Sequence, residues 1–303
     1  MTFNPNADIR SDNVSRGGGG GGRGRGLVLG GGGGGCLLLV IVVIYALIGG
    51  NPLDLLQGGG TGTTQGQQAQ DSGETTECRT GADANESDDC LVQATIESAD
   101  SAWAEIAPGM GIDFREPQAR LFTGQTNTGC GAASKDVGPF YCPADATIYI
   151  DTSFYDDLSS TYGASDGSFA KEYVIAHEYG HHIQNLQGTM EHVDHSQSGP
   201  TSDGVRLELQ ADCYAGVWGS RAASSTDSGG QEFLEPLTDE DIADGLSAAS
   251  AVGDDHIQGE VSGGQVSPET WTHGSSSQRQ KWFTTGYESG DPASCDTFST
   301  SDL

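Results

Sequence analysis

The stretch Tyr173-Val174-Ile175-Ala176-His177-Glu178-Tyr179-Gly180-His181-His182 concentrates side chains that can do chemistry. His177 and His181 are four positions apart, which on a helix puts both imidazoles on one face, one turn apart, where they can converge on one ion. Imidazole nitrogen suits Zn²⁺, which tolerates an open position for water or substrate. Glu178, next to the first histidine, can reach a water at that ion and take its proton as the nucleophile forms. The chemistry this spacing predicts is metal-assisted hydrolysis, with a peptide bond as the target and a peptide or protein as the partner.

A catalytic zinc takes three protein ligands and keeps one position open. A third histidine on the same segment would require Gly at 184 and His at 187, and both positions are Gln. Downstream, Glu208-Leu209-Gln210-Ala211-Asp212 supplies two carboxylates spaced i and i+4, hence on one helix face. We expect Glu208 to complete the metal sphere and Asp212 to accept the free ring N–H of a ligand histidine, fixing its tautomer. Asp212 as the third ligand stays open as the alternative.

Peptide hydrolysis also builds charge on the carbonyl oxygen, which calls for a further donor. His273, in the Gly/Ser-rich stretch after Trp271, is the expected one, with His256 beside it and Tyr214 and Arg279 as weaker candidates. His182 is expected to face away from the metal, His192 and His195 to lie on the surface, and Gln184 to Gln187 to form the polar end of the helix.

These residues need helices to hold them. Apolar spacing and stop signals predict helices over 90–106, from 166 or 168 to about 186 with a stop at Gly188, over 205–218, over 238–252 and over 276–287. Segments 120–122 and 146–150 have strand character and could pair as an irregular hairpin. The second of them, just before the zinc helix, could hold an extended substrate.

The chain ahead of these elements differs in character. Residues 1–26 are Gly-rich and carry Arg10, Arg16, Arg23 and Arg25, which predicts a cytoplasmic tail. Residues 27–50 form an uncharged stretch, expected to be an uncleaved single-pass transmembrane anchor. Residues 51–77 lack periodicity and read as a flexible linker, leaving 78–303 as the catalytic domain, placed outside the cytoplasm. The net charge of −30, from 43 acidic against 13 basic side chains, excludes the basic patch that nucleic acid requires.

Beyond Cys36 there are six cysteines and no CxxC pair, which favours disulfides in an oxidising compartment over a structural zinc knuckle. Proximity suggests Cys78–Cys90, Cys130–Cys142 and Cys213–Cys295.

The blocks ATIYIDTSFYDDL, KEYVIAHEYGHHIQNLQG, RLELQADCYAGVW, TDEDIADGLSAASAVGDDHIQ and THGSSSQRQKWFTTGYESGDPASCDTF resemble the neutral zinc metallopeptidases of bacteria. The resemblance covers roughly residues 80 to 298. It implies a gluzincin-like core with zinc at His177 and His181, Glu178 as the catalytic residue and one N-terminal membrane anchor. The expected fold is α+β, zincin-like: a mostly helical lobe beside a small irregular β-sheet, preceded by one transmembrane helix. Two other readings share these residues, a catalytically idle zinc-binding envelope module and a cell-wall peptide amidase.

Overall fold

The computed structural model describes residues 2–17 and 77–303. Residues 2–17 pack onto the same body as the rest. Phe3, Ala7 and Ile9 are fully buried in the core, and Phe3 and Asp8 form isolated bridges to Leu234 and Thr80. Burying side chains such as Phe3 and Ile9 contributes about 2–3 kcal/mol each. Polar groups close the seam: Asn85 Nδ2 donates to Phe3 O at 2.9 Å, and Asn13 Nδ2 donates to Asp100 Oδ2 at 2.9 Å.

This arrangement corrects the expected topology. The span expected over 27–50 lies outside the described residues, and among the described residues no helix is long and apolar enough to cross a membrane. An N-terminus on the cytoplasmic face, across a bilayer from the catalytic domain, is incompatible with residues 2–17 bonding directly to that domain. Membrane anchoring, the single-pass location and the membrane as partner are therefore withdrawn, and the fold class stands, among the described residues, without a transmembrane helix.

The first strand, β1 (Val14–Gly17), joins a small sheet. A short helix α1 (Gly81–Ala84) and the long α2 (Asp88–Ile106) follow, and α2 buries Trp103 completely. Next come β2 (Gln118–Phe122), the hairpin of β3 (Gln125–Thr128) and β4 (Gly131–Ser134), β5 (Phe140–Cys142) and β6 (Thr147–Ile150). The sheet order is β1-β2-β6-β5, with the first three parallel and β5 antiparallel at the edge. The segments expected to pair as a hairpin, β2 and β6, are thus parallel neighbours. Parallel neighbours need a long connection, and here it carries its own β-hairpin and returns through β5. All four residues of β6 are buried, as a strand covered on both faces must be.

After α3 (Phe154–Ser160), the helix α4 (Ser168–Gln187) crosses the core. Gly188 ends it in the left-handed conformation at φ 76°, which glycine adopts without steric cost. Its start is uncapped by any side chain, with Gly167 at the N-cap. The helix α5 (Asp203–Ala222), capped by Ser202, packs directly against α4. Gly180 sits at their crossing: a Cβ there would come within 2.9 Å of Ala211 O, so only glycine lets the two backbones approach this closely.

Helices α6 (Asp239–Ala251) and α8 (Ser276–Ser289) complete the lobe, each opened by a reciprocal capping box, Thr238 with Asp241 and Ser275 with Gln278. Between them lies the single turn α7 (Asp254–His256), which continues into a π-helical turn at Ile257–Val261. The three disulfides are Cys78–Cys90, Cys130–Cys142 and Cys213–Cys295. The last ties α5 to the C-terminal segment. The lobe is mostly helical beside a small irregular sheet, as a zincin-like catalytic lobe requires.

Candidate metal centre

Helix α4 is buried along nearly its whole length, so its polar residues are held inside the protein and must find partners there. His177 and His181 point from it toward Glu208 on α5. His177 Nε2 lies 3.2 Å from Glu208 Oε2, and His181 Nε2 lies 3.6 Å from Glu208 Oε1. One ligand atom from each of the three falls within a 4.8 Å cluster, the group among the described residues that could hold a metal ion. Two imidazole nitrogens and one carboxylate oxygen are the donor set of a catalytic zinc with an open position, so the residues fit that ion.

Both histidines are oriented from behind. His177 Nδ1 is 2.8 Å from Asp212 Oδ1, and His181 Nδ1 is 2.8 Å from Gln184 Oε1. A carboxylate and an amide oxygen can only accept, so each Nδ1 carries a proton, and Nε2 is the nitrogen left facing the site to bind a metal. Asp212 therefore acts through His177 and stays outside the cluster. Gln184 is fully buried, donating to Leu207 O at 2.7 Å and Gln210 Oε1 at 3.1 Å. It orients His181, a role that the polar-helix-end reading missed. A Gln three residues after a histidine, on the same helix face, was the signal that could have found it.

Behind Asp212 stands a further layer. Arg279 on α8 binds both its oxygens, and the Tyr173 hydroxyl donates to Oδ1. Burial pushes the Asp212 carboxyl up, yet Arg279 and His177 hold it below its usual range. Glu208 behaves alike: burial opposes its charge, and His181 and His177 hold it well below the usual range. For His177, burial disfavours the proton, but Asp212 and Glu208 lift it to about 9.

Glu178 lines the same cleft, beside the cluster, and is 8% exposed. Burial raises its carboxyl, while His181 and His177 work against that rise, as does the backbone N–H of Tyr141 on edge strand β5. Strand β5 supplies cleft-lining residues and β6 does not. The strand expected to border a substrate, 146–150, is therefore one position too far into the sheet.

His273 also lines the cleft. Asp254 holds it: Oδ2 accepts the backbone N–H groups of Thr272, His273 and Gly274 at 2.9, 2.7 and 2.9 Å, and Oδ1 is 3.3 Å from His273 Nδ1. Burial works against a charged His273, but Asp254 raises it above the ordinary imidazole range. Asp254 is 2% exposed, and nothing in its local sequence singled it out from Asp255. The other candidates lie elsewhere. His256 Nε2 donates to Tyr162 O at 2.8 Å, and the Tyr214 hydroxyl donates to Gln187 Oε1 at 2.8 Å, both structural contacts. His182 is buried in the core between Tyr141 and Arg115, and His195 joins the cleft wall.

Residues 4–298 match the protein family described as "Putative neutral zinc metallopeptidase". The uncharacterized protein Rv2575 of Mycobacterium tuberculosis is 55% identical over 228 residues, covering 75% of this chain and 76% of its own length. YpfJ of Escherichia coli K12, also described as uncharacterized, is 46% identical over 211 residues, covering 68% and 70%. No solved structure matches.

Proposed function

Because the chain belongs to the neutral zinc metallopeptidase family and binds zinc, we propose that it hydrolyses peptide bonds at the His177, His181 and Glu208 cluster, with Glu178 as general base. The observation that carries this reading is the position of Glu178. A zinc held for structure alone takes four ligands and needs no base, whereas here three donors converge and a further carboxylate, Glu178, lines the cleft beside them.

Zinc bound there supplies Lewis acidity, which polarises a peptide carbonyl and acidifies water. The protein's own residues do the rest. Glu178 takes the proton as the water oxygen bonds to the carbonyl carbon, and delivers it to the amine nitrogen as the C–N bond breaks. Its raised carboxyl pKa favours the first half of that transfer, since a strongly acidic group would accept the proton poorly. His273, with Nδ1 committed to Asp254 and Thr272, offers Nε2 to the carbonyl oxygen as charge gathers on it. Asp212 and Gln184 keep the two ligand imidazoles in the correct tautomer throughout.

The test compares wild type with Glu178→Gln on a quenched fluorescent peptide library, both at one zinc per chain. Removing a general base costs about 10²–10⁴-fold in turnover, so the variant should fall by that much with its zinc intact. Equal hydrolysis by both proteins would contradict the assignment.

A further inference from the structure

The cleft around the metal cluster encloses about 270 Å³. Its walls beyond the reactive groups are apolar, formed by Phe140 on β5, Phe154 on α3, Val174 on α4, Leu207 on α5, and Val252 and Ile257 beyond α6. Such a surface gains free energy from an apolar side chain and offers a charged one no compensation for lost hydration.

The charges in the cleft are all committed. Among the described residues lining it, Arg279 is the one guanidinium and there is no lysine. Its Nε and Nη2 bind Asp212, Nη2 also reaches the Tyr173 hydroxyl at 3.3 Å, and Nη1 donates to Val252 O at 3.1 Å. A peptide's terminal carboxylate therefore finds no uncommitted guanidinium or ammonium among the described residues to hold it. His195 is the remaining basic side chain there that no described contact engages, a partly exposed imidazole. The carboxylates are equally occupied. Glu208 faces both ligand histidines, Glu178 is the base, and Asp254 accepts three backbone N–H groups. A terminal ammonium thus has no spare acid to pair with among the described residues of the cleft.

Resting on the peptidase reading above, the geometry points to an endopeptidase: the site takes internal segments of a chain and seats a bulky apolar side chain next to the bond it cuts. Chain ends, with their charges, gain nothing from this cleft. The apolar walls supply the binding energy, and the committed polar groups act only at the scissile amide.

The probe is a ten-residue peptide with Phe-Leu at its centre, N-acetylated and C-amidated. Two analogues accompany it, one with free ends and one with Asp at both central positions. Binding is measured by calorimetry on the full chain as its zinc-loaded Glu178→Gln variant, and products by mass spectrometry on wild type. Blocked and free-ended peptides should bind alike. The Asp analogue should bind at least about tenfold more weakly, the discrimination a hydrophobic pocket provides. Ile257→Asp should weaken the Phe-Leu peptide about tenfold at unchanged zinc content. Wild type should yield two fragments, an N-terminal and a C-terminal piece from one cut at the centre.

Binding that requires a free end, stepwise loss of terminal residues, or C-terminal trimming abolished by His195→Ala would overturn the inference. Equal binding of the Asp analogue, or no binding of any peptide, would overturn it too. Binding in the expected order without cleavage by wild type would remove the peptidase reading, and with it the cutting step, and still support recognition of internal apolar segments.

Discussion

The guanidinium of Arg279 grips the Asp212 carboxylate at both oxygens, Nε to Oδ2 at 2.9 Å and Nη2 to Oδ1 at 2.9 Å, with both side chains buried. Asp212 in turn holds His177 Nδ1, so a residue on α8 braces the orientation of the candidate metal ligand His177 on α4. Arg279→Met leaves a buried carboxylate without its partner, and breaking such a pair costs about 3–5 kcal/mol. Arg279→Lys keeps the charge but loses the planar fork. We expect it to fold and to bind zinc about 10–100-fold more weakly, as loss of support behind a ligand histidine does. Competition with a chelator measures this. Wild-type zinc affinity in Arg279→Lys would break the proposed link.

His273 and Asp254 should separate in their effects. His273→Ala removes the proposed donor to the developing oxyanion and should lower kcat about 10²–10³-fold with zinc content and KM nearly unchanged. Asp254→Asn leaves the imidazole but loses its charged partner and weakens acceptance of three backbone N–H groups. Its kcat should fall less, and His273 should titrate lower, since Asp254 is what raises it. Steady-state kinetics with NMR titration of the His273 ring reads both. An unchanged kcat in His273→Ala would remove it from the reaction.

Acid stability should depend on His182. Buried, with Nε2 donating to Arg115 O at 2.6 Å and Nδ1 accepting from the Tyr141 hydroxyl at 3.0 Å, the ring is held neutral. Burial lowers its pKa from 6.5 to about 4. Between those values the unfolded chain binds the extra proton, so stability falls as pH drops from 6.5 toward 4 and is fully present above 6.5. The loss over that window is about 3 kcal/mol, from 1.36 kcal/mol per pKa unit. Urea unfolding at pH 7 and 4.5 checks this. In His182→Gln the dependence should flatten by that amount, and an identical slope in both proteins would contradict it.

Phe3 tests whether the N-terminal segment belongs to the body. It is 1% exposed, and Phe3→Ala should cost about 3–5 kcal/mol, the range for truncating a buried aromatic side chain. An independent tail would show no change in unfolding free energy.

The site was largely readable from the sequence because its principal residues lie at i, i+4 spacings on two helices. His177 with His181 and Glu208 with Asp212 each share a face whatever the rest of the fold does. Asp254 was not readable: it reaches His273 across 19 positions through a loop, where no periodicity operates. Gln184 looked like a helix end because polarity alone does not reveal that the end is buried. The sheet was legible as segments but not as a topology, since β2 and β6 pair in parallel across a connection that carries other strands. Residues 2–17 misled most. Their few apolar side chains, Phe3, Ala7, Ile9 and Val14, lack a regular period, and the nearby arginines imitate the flank of a membrane span.

The assignment of zinc to His177, His181 and Glu208 is checked by the zinc content of the folded chain, measured by mass spectrometry for wild type, Glu208→Ala and Asp212→Asn. Wild type should hold one zinc per chain, Glu208→Ala none after dialysis, and Asp212→Asn a weakened but detectable amount. Folded wild type without zinc, or Glu208→Ala keeping its full complement while Asp212→Asn loses it, would rule the assignment out.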